Sequence, residues 1–312
     1  MKAVRIRMSF MTPRKHQVEA IKWALELLTA CKGRGVVQMP TGSGKSYVAL
    51  CIAREWLRLG GNVTILAPSE EVISQLQLLA ILLGLCPVIE RAELHASRFA
   101  RLVIGSFNTM WRRYENHRKP KSLVLLDECH HVNFDAPSNL KIASIFDYAI
   151  GFSATPWSEG CMEFFENRIH MYPLSRSIEE KICCVYSIRS WIDPIPGKYQ
   201  IIYCSNLDEI KLMCTRIAPS DYAVHQEKDP RATISRFRFG ALGTIVVNRM
   251  LTEGFDQPEV KRVWISRETG SEIFALQMLG RALRPYQGRC AEIFVRSEKT
   301  HKTLQAALCR AG

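Results

Sequence analysis

Several things this chain lacks narrow its class before any motif is read. No apolar run approaches the ~20 residues that a membrane helix needs. The longest, Leu78 to Leu85, is about eight residues and includes an alanine and a glycine, so no membrane partner is expected. The opening Met-Lys-Ala-Val-Arg-Ile-Arg has no apolar signal core, and nothing in it points to export. The eleven cysteines form an odd set without any C-x-x-C, and only Cys183 and Cys184 are adjacent. Disulfides, zinc and an iron–sulfur cluster are therefore disfavoured, and the thiols read as reduced and mostly buried in a cytoplasmic setting. Internal repeats and low-complexity tracts are missing as well, and Asp193 to Gly197 reads as a loop, not a domain linker.

What is present fits two packed cores: 312 residues with 47% hydrophobic content. The formal net charge of +12 is spread along the chain, about +7 in residues 1–160 and about +5 in the remainder. A basic tail is not its source. An excess on both halves suits a polyanion lying across both.

Strand-like runs at 35–39, 62–67, 101–105, 121–126 and 148–152 alternate with helix-compatible stretches, the pattern of a parallel sheet with crossover helices. Residues 157–178 are irregular by pattern. The alternation then restarts, with strands near 183–191, 199–204, 243–247, 260–265 and 291–295 and helices near 206–217, 228–239, 271–284 and 297–309. The fold class is α/β in two domains, 1–160 and 161–312, each a mainly parallel sheet.

The chemistry is carried by Pro40-Thr41-Gly42-Ser43-Gly44-Lys45-Ser46, between a short apolar strand and the helix that begins at Ser46. The glycines let backbone N–H groups turn toward a phosphate, Lys45 supplies a point charge, and the Ser46 hydroxyl suits Mg²⁺. Met39 stands where the strict pattern wants a glycine; the strand–loop–helix setting sustains the reading. Leu123-Val124-Leu125-Leu126 then runs into Asp127 and Glu128. Asp127 can hold the same magnesium, and Glu128 can polarise the attacking water. The second half has no such glycine loop and serves another purpose.

Further motifs, in order, resemble those of superfamily 2 helicases of the DEAD/DEAH type over nearly the whole chain. Arg14 and Gln17 look like the adenine-reading segment. Ala67-Pro68-Ser69 and Gly105-Ser106-Phe107-Asn108-Thr109 look like the first-domain nucleic-acid motifs. Ser153-Ala154-Thr155 resembles the motif that couples hydrolysis to domain movement. Leu251-Thr252-Glu253-Gly254-Phe255-Asp256-Gln257-Pro258 and Gln277-Met278-Leu279-Gly280-Arg281-Ala282-Leu283-Arg284-Pro285 resemble the fifth and sixth motifs. On a continuous helix Gln277, Arg281 and Arg284 would share one face. Gln277-Met278 and Glu253-Gly254 depart from the DEAD-box texture of His-Arg and Arg-Gly. With Asp-Glu-Cys-His-His-Val they look like the branch of XPB-like repair helicases and type III restriction motor subunits. His131 reads as a packing or loop residue.

The resemblance implies a minimal core of two RecA-like domains acting as an ATP-dependent DNA helicase or translocase, with hydrolysis at the interdomain cleft. ATP and Mg²⁺ are the implied cofactors. Arg14, Gln17, Thr41, Gly42, Ser43, Gly44, Lys45, Ser46, Gly254 and Asp256 would bind nucleotide, with Ser46 and Asp127 on the metal. Lys45, Asp127, Glu128, Gln277, Arg281 and Arg284 would serve turnover. Pro68, Ser69, Ser106, Thr109 and Thr252 would meet nucleic acid, DNA in preference to RNA. No nuclease, damage-recognition or winged-helix segment is recognisable, so a partner protein supplying substrate specificity is compatible with the bare core. Two alternatives stay open: an RNA helicase, and an ATP-gated clamp or remodelling subunit that separates no strands.

Overall fold

The computed structural model describes residues 12–30, 33–91, 94–113, 119–134, 145–217, 220–223, 230–248, 250–251, 255, 257–286 and 288–312. The chain divides into two compact units, the first made of the residues up to Met39 with Gly44–Tyr172 and the second of Pro40–Ser43 with Pro173–Gly312.

The first unit contains α1 (Lys15–Ala30), β1 (Arg34–Gln38), α2 (Lys45–Arg58), β2 (Asn62–Ala67), α3 (Glu70–Leu82), β3 (Val88–Glu90), β4 (Leu102–Ser106), α4 (Phe107–Arg113), β5 (Ser122–Asp127), β6 (Tyr148–Ser153), α5 (Glu159–Phe164) and β7 (Ile169–Met171). Its seven strands run in the order β3-β4-β2-β5-β6-β1-β7, with every recorded pairing parallel. A parallel sheet is covered on both faces, which is why its central strands read as continuous apolar runs instead of alternating ones. Val37, Ile65, Leu125, Ile150 and Phe152 face one core. Their neighbours Val36, Leu66, Val124, Leu126 and Ala149 face another, with Phe134, Phe164 and Phe165.

The second unit contains α6 (Leu174–Glu179), β8 (Tyr186–Ser190), β9 (Gln200–Tyr203), α7 (Leu207–Arg216), β10 (Ser220–Ala223), α8 (Pro230–Arg238), β11 (Thr244–Val247), β12 (Arg262–Ile265), α9 (Glu272–Gly280), β13 (Ala291–Val295) and α10 (Glu298–Ala311). Its sheet is also parallel, in the order β10-β11-β9-β12-β13-β8. Ile202, Val246, Trp264 and Phe294 sit in register across four strands and share one core, the last two with stacked rings 4.8 Å apart. The helices start where side chains can replace missing backbone partners. Asn206, Ser271 and Ser297 accept from Glu209, Phe274 and Thr300 N–H at 2.9, 3.3 and 3.4 Å.

Two expectations change. Residues 157–178 are not irregular, since they hold α5, β7 and most of α6, and β7 pairs with β1, carrying the first unit past residue 160 to Tyr172. The strands that sequence patterning misses, β3, β7 and β10, all lie at sheet edges. They have three or four residues each, and the ends of β7 are exposed, so neither length nor an apolar run marks them. Among the described residues every cysteine is a free thiol, and no helix is long and apolar enough to cross a membrane.

Candidate functional site

Along the carboxyl edge of the first sheet, β4, β2, β5, β6 and β1 end side by side. In open α/β sheets ligands bind outside this edge. Nearly all the first-unit residues singled out from the sequence lie there.

Thr41, Gly42, Ser43 and Gly44 make the turn from β1 into α2. Gly42 and Gly44 have φ of 84° and 92°, a left-handed conformation that costs a side chain about 1–2 kcal/mol. A Cβ on Gly44 would also come within 2.4 Å of the Gln17 amide nitrogen. Ser43 closes the turn, its N–H and hydroxyl both donating to the Pro40 carbonyl at 3.3 and 2.7 Å. Met39 is fully buried, has no left-handed backbone, and donates its N–H to Ser153 O at 3.1 Å. This accounts for the missing glycine: the loop leaves the sheet from a strand-like residue pinned to β6.

Gln17 is buried in α1, and its side-chain oxygen accepts from the N–H of the exposed Arg14 at 2.9 Å. One residue earlier, the buried His16 stacks on Tyr172 with ring centroids 4.4 Å apart.

Lys45 and Ser46 open α2. The Lys45 ammonium is 7% exposed, 3.4 Å from Met39 O and 3.7 Å from Glu128 Oε1. Asp127 ends β5 and is buried. Burial, then the neighbouring Glu128 charge, raise its pKa, and Lys45 works against both. A carboxylate in this position gains from a cation beside it. Glu128 has φ 49° and ψ 52°, strain of the kind that collects at functional sites at about 1–3 kcal/mol each.

From Glu128 a polar chain leads away. Its Oε2 is 3.5 Å from His130 Nδ1, which is 2.8 Å from Ser153 Oγ, and that oxygen accepts from Thr155 N–H at 2.9 Å. His130 thus joins the acidic motif to Ser153-Ala154-Thr155. The sequence offered one signal for it, a histidine two residues after the glutamate at a strand end.

Pro68 and Ser69 follow β2, Ser106 ends β4, and Ala67 pairs with Ser106 in register, so these residues are neighbours. Ser69 Oγ caps α3 by accepting from Val72 N–H at 3.3 Å. Ser106 Oγ accepts from Thr109 N–H at 3.1 Å and donates to Thr109 Oγ1 at 2.9 Å. The Ser106 proton is therefore engaged within its own turn, which leaves the hydroxyl of Thr109 as a donor at that strand end.

In the second unit the single helical face expected for Gln277, Arg281 and Arg284 does not form. Gln277 is buried in α9, but the helix stops at Gly280. The N–H groups of Arg281, Ala282 and Leu283 turn back three residues, to Met278, Leu279 and Gly280 carbonyls. Pro285 explains the stop, because it disfavours helical backbone at Arg284 and brings no N–H. The two arginines converge all the same: Nη1 of each donates to Phe255 O, at 2.6 Å from Arg281 and 2.8 Å from Arg284. Thr252, Gly254 and Asp256 lie outside the described residues.

Comparison with known proteins agrees with this class of fold. Residues 10–158 match the family model described as type III restriction enzyme, res subunit. A protein of Sulfolobus islandicus filamentous virus named as a helicase is 31% identical over 163 residues, 47% of this chain and 28% of that one. A Haloarcula marismortui protein named as a Rad25 DNA 3'-5' helicase is 24% identical over 86% of this chain and 52% of its own length. A fragment structure described as the HsdR subunit of a type I restriction enzyme from Vibrio vulnificus superposes with a TM-score of 0.75. It is 19% identical and covers 94% of this chain and 65% of that one. The likeness expected from the motifs, to superfamily 2 helicases of the restriction-motor kind, is what these comparisons find. The chain spans between 28% and 64% of the length of the curated relatives it matches.

Proposed function

We propose that the chain is an ATP-driven DNA translocase or helicase core whose turnover is stimulated by nucleic acid. The observation that carries this reading is the meeting of Lys45, Asp127 and the strained Glu128 beside a glycine loop at one sheet edge, with Lys45 Nζ 3.7 Å from Glu128 Oε1. Gly42, Gly44, Lys45 and Ser46 would take the triphosphate on the N-terminus of α2, with Gln17 and Arg14 on the base. The buried, charge-crowded Asp127 fits a divalent cation. Ser46 and Asp127 would hold Mg²⁺, which neutralises phosphate charge when bound. Glu128 orients and polarises the water that attacks the γ-phosphate, and Lys45 balances charge on the phosphate oxygens. By the motif resemblance alone, Arg281 and Arg284 would act on the same phosphoryl group.

The reading couples turnover to a nucleic-acid strand at the same sheet edge. Ser69, after the end of β2, and Thr109, after the end of β4, would offer donors to phosphates, with Pro68 lining the same edge, and such contacts tolerate any base sequence. DNA is preferred over RNA because the restriction-type family match and the Rad25-named relative point that way. The test is ATP turnover against single-stranded, duplex and forked DNA and RNA, with strand displacement measured beside it. DNA stimulation with displacement is expected. Stimulation by RNA alone would make the protein an RNA helicase, turnover without displacement would make it a translocase or clamp, and indifference to every nucleic acid would remove the motor reading.

A further inference from the structure

The opposite edge of the first sheet, where β2, β4 and β5 begin, is basic. Arg58, Arg98, Arg101 and Lys121 are exposed there and Lys119 is half-buried. Backbone bonds fix their nearness: Val63 N–H donates to Arg101 O at 2.8 Å and Asn62 N–H to Lys121 O at 3.1 Å, setting the two residues on either side of β2. Part of this charge has a structural task. Arg101 Nη2 donates to the Leu57 and Gly61 carbonyls at 2.5 and 3.0 Å, and Lys121 Nζ donates to Leu59 O. Both therefore close the C-terminal end of α2, where the helix dipole favours cations. Arg58 is bonded to Glu55 at 2.9 Å.

Helix capping does not account for Phe99. Its side chain is 78% exposed, on a turn closed by Ser97, whose carbonyl accepts from Ala100 N–H at 2.9 Å and whose hydroxyl accepts from Phe99 N–H at 3.2 Å. The Arg98 guanidinium lies 4.9 Å from the ring centroid, and Lys119 Nζ donates to the adjoining Ala100 carbonyl. A ring held in solvent by a closed turn, among cations that are themselves held in place, has the chemistry that takes an unpaired base on its face and phosphates at its rim.

We propose that Phe99 and Arg98, backed by Arg101, Lys119 and Lys121, form a second contact for single-stranded nucleic acid at the amino edge of the first sheet. The inference rests on the nucleic-acid motor reading above. Strands of five or six residues separate this edge from the motif-bearing one by about 17–20 Å. A short strand can engage one edge only, and a long one can engage both.

The experiment measures binding of mixed-sequence single-stranded DNA of about 4 and about 40 nucleotides, across a salt series, by the full chain and its Phe99→Ala and Arg98→Ala variants. ATP turnover without nucleic acid and thermal unfolding report whether each variant folds. Phe99→Ala is expected to weaken the long strand roughly fivefold or more, the loss of one stacked base. Arg98→Ala is expected to flatten the plot of log affinity against log salt by about 0.7, and neither should change the short strand. Unchanged binding of the long strand by both variants would overturn the proposal. So would a loss confined to vesicles of anionic phospholipid, which would make the patch a membrane surface. An unmodified chain that binds neither DNA would sink the motor reading and this inference together, and is told apart because no variant is then needed to see it.

Discussion

The cations of the two units are held in opposite ways. In the first unit Lys45 has two partners at the outer limit of hydrogen bonding and ion pairing, Met39 O at 3.4 Å and Glu128 Oε1 at 3.7 Å. In the second, Arg281 and Arg284 grip one carbonyl, that of Phe255, at 2.6 and 2.8 Å. An ammonium is a compact charge on a flexible stem, so loose contacts leave it free to move onto an incoming phosphate. A guanidinium is a rigid planar fork, so anchoring it on a carbonyl fixes the orientation of the whole group. Under the proposed reading Lys45 would be captured by ligand, whereas the arginines would be fixed in advance. The difference would suit the proposed roles, nucleotide binding for the first and γ-phosphate sensing for the second.

The sharpest way to break that contrast is to remove the fixed pair. Arg281→Ala and Arg284→Ala are each expected to lower the ATP turnover rate by about 10³–10⁵, the range known for arginine fingers, with little change in ATP affinity. Rapid-quench turnover beside equilibrium nucleotide binding separates the two. Arg281 is 5% exposed, so its replacement also strips the Phe255 carbonyl of a buried donor, and a melting curve shows whether the fold survives. If either variant turned ATP over normally yet lost DNA, that arginine would belong to the strand-binding surface.

A smaller effect is expected in the first unit, where the contrast predicts a split instead of a single loss. Lys45→Ala removes charge from bound phosphates and should weaken both binding and turnover, the latter about 10²–10³-fold. Glu128→Gln keeps shape and should bind ATP as before while turnover falls. Normal hydrolysis by Glu128→Gln would strip that residue of its role.

How much of this was readable without coordinates depends on where each residue sits. The central strands and the loop of Gly42 and Gly44 were legible because burial on both faces and left-handed turns leave strong marks on composition. Edge strands β3, β7 and β10 left none. The helical face expected for Gln277, Arg281 and Arg284 fails because the helical period ends at Gly280, ahead of Pro285. The His130 bridge to Ser153 was hidden for another reason: it joins residues 23 apart that only the pairing of β5 with β6 makes neighbours.

The loop itself offers a test smaller again. Gly44→Ala imposes a side chain at φ 92° and drives a methyl toward the Gln17 amide, so a destabilisation of about 1–3 kcal/mol is expected in urea unfolding. Nucleotide binding should fall with it, since Gln17 must move. Gly60 has a similar φ of 82° with nothing within 4 Å of its would-be Cβ. Gly60→Ala should therefore show the backbone cost alone and leave ATP binding intact. Equal losses of ATP binding in both would mean that the approach of α1 to the loop is irrelevant.

The smallest expected effect concerns what keeps the arginine-bearing unit rigid at its far edge. Glu292 on β13 bonds Arg262 of β12 at 2.7 Å and Arg189 of β8 at 3.3 Å, tying three strands together. The hydrogen bond from Arg262, with the nearby positive charges, holds the Glu292 carboxyl below its ordinary 4.5. Because the folded value is the lower one, the stabilisation is present above pH 4.5 and is lost as pH falls through the folded value. Glu292→Gln should cost about 0.5–1 kcal/mol at pH 7. The gap between the two proteins should close on acidification, when the native glutamate is protonated and resembles the amide. A gap that stayed constant from pH 7 to pH 3 would mean that packing, not charge, joins these strands. The preset geometry of the second unit would then owe nothing to this ion pair.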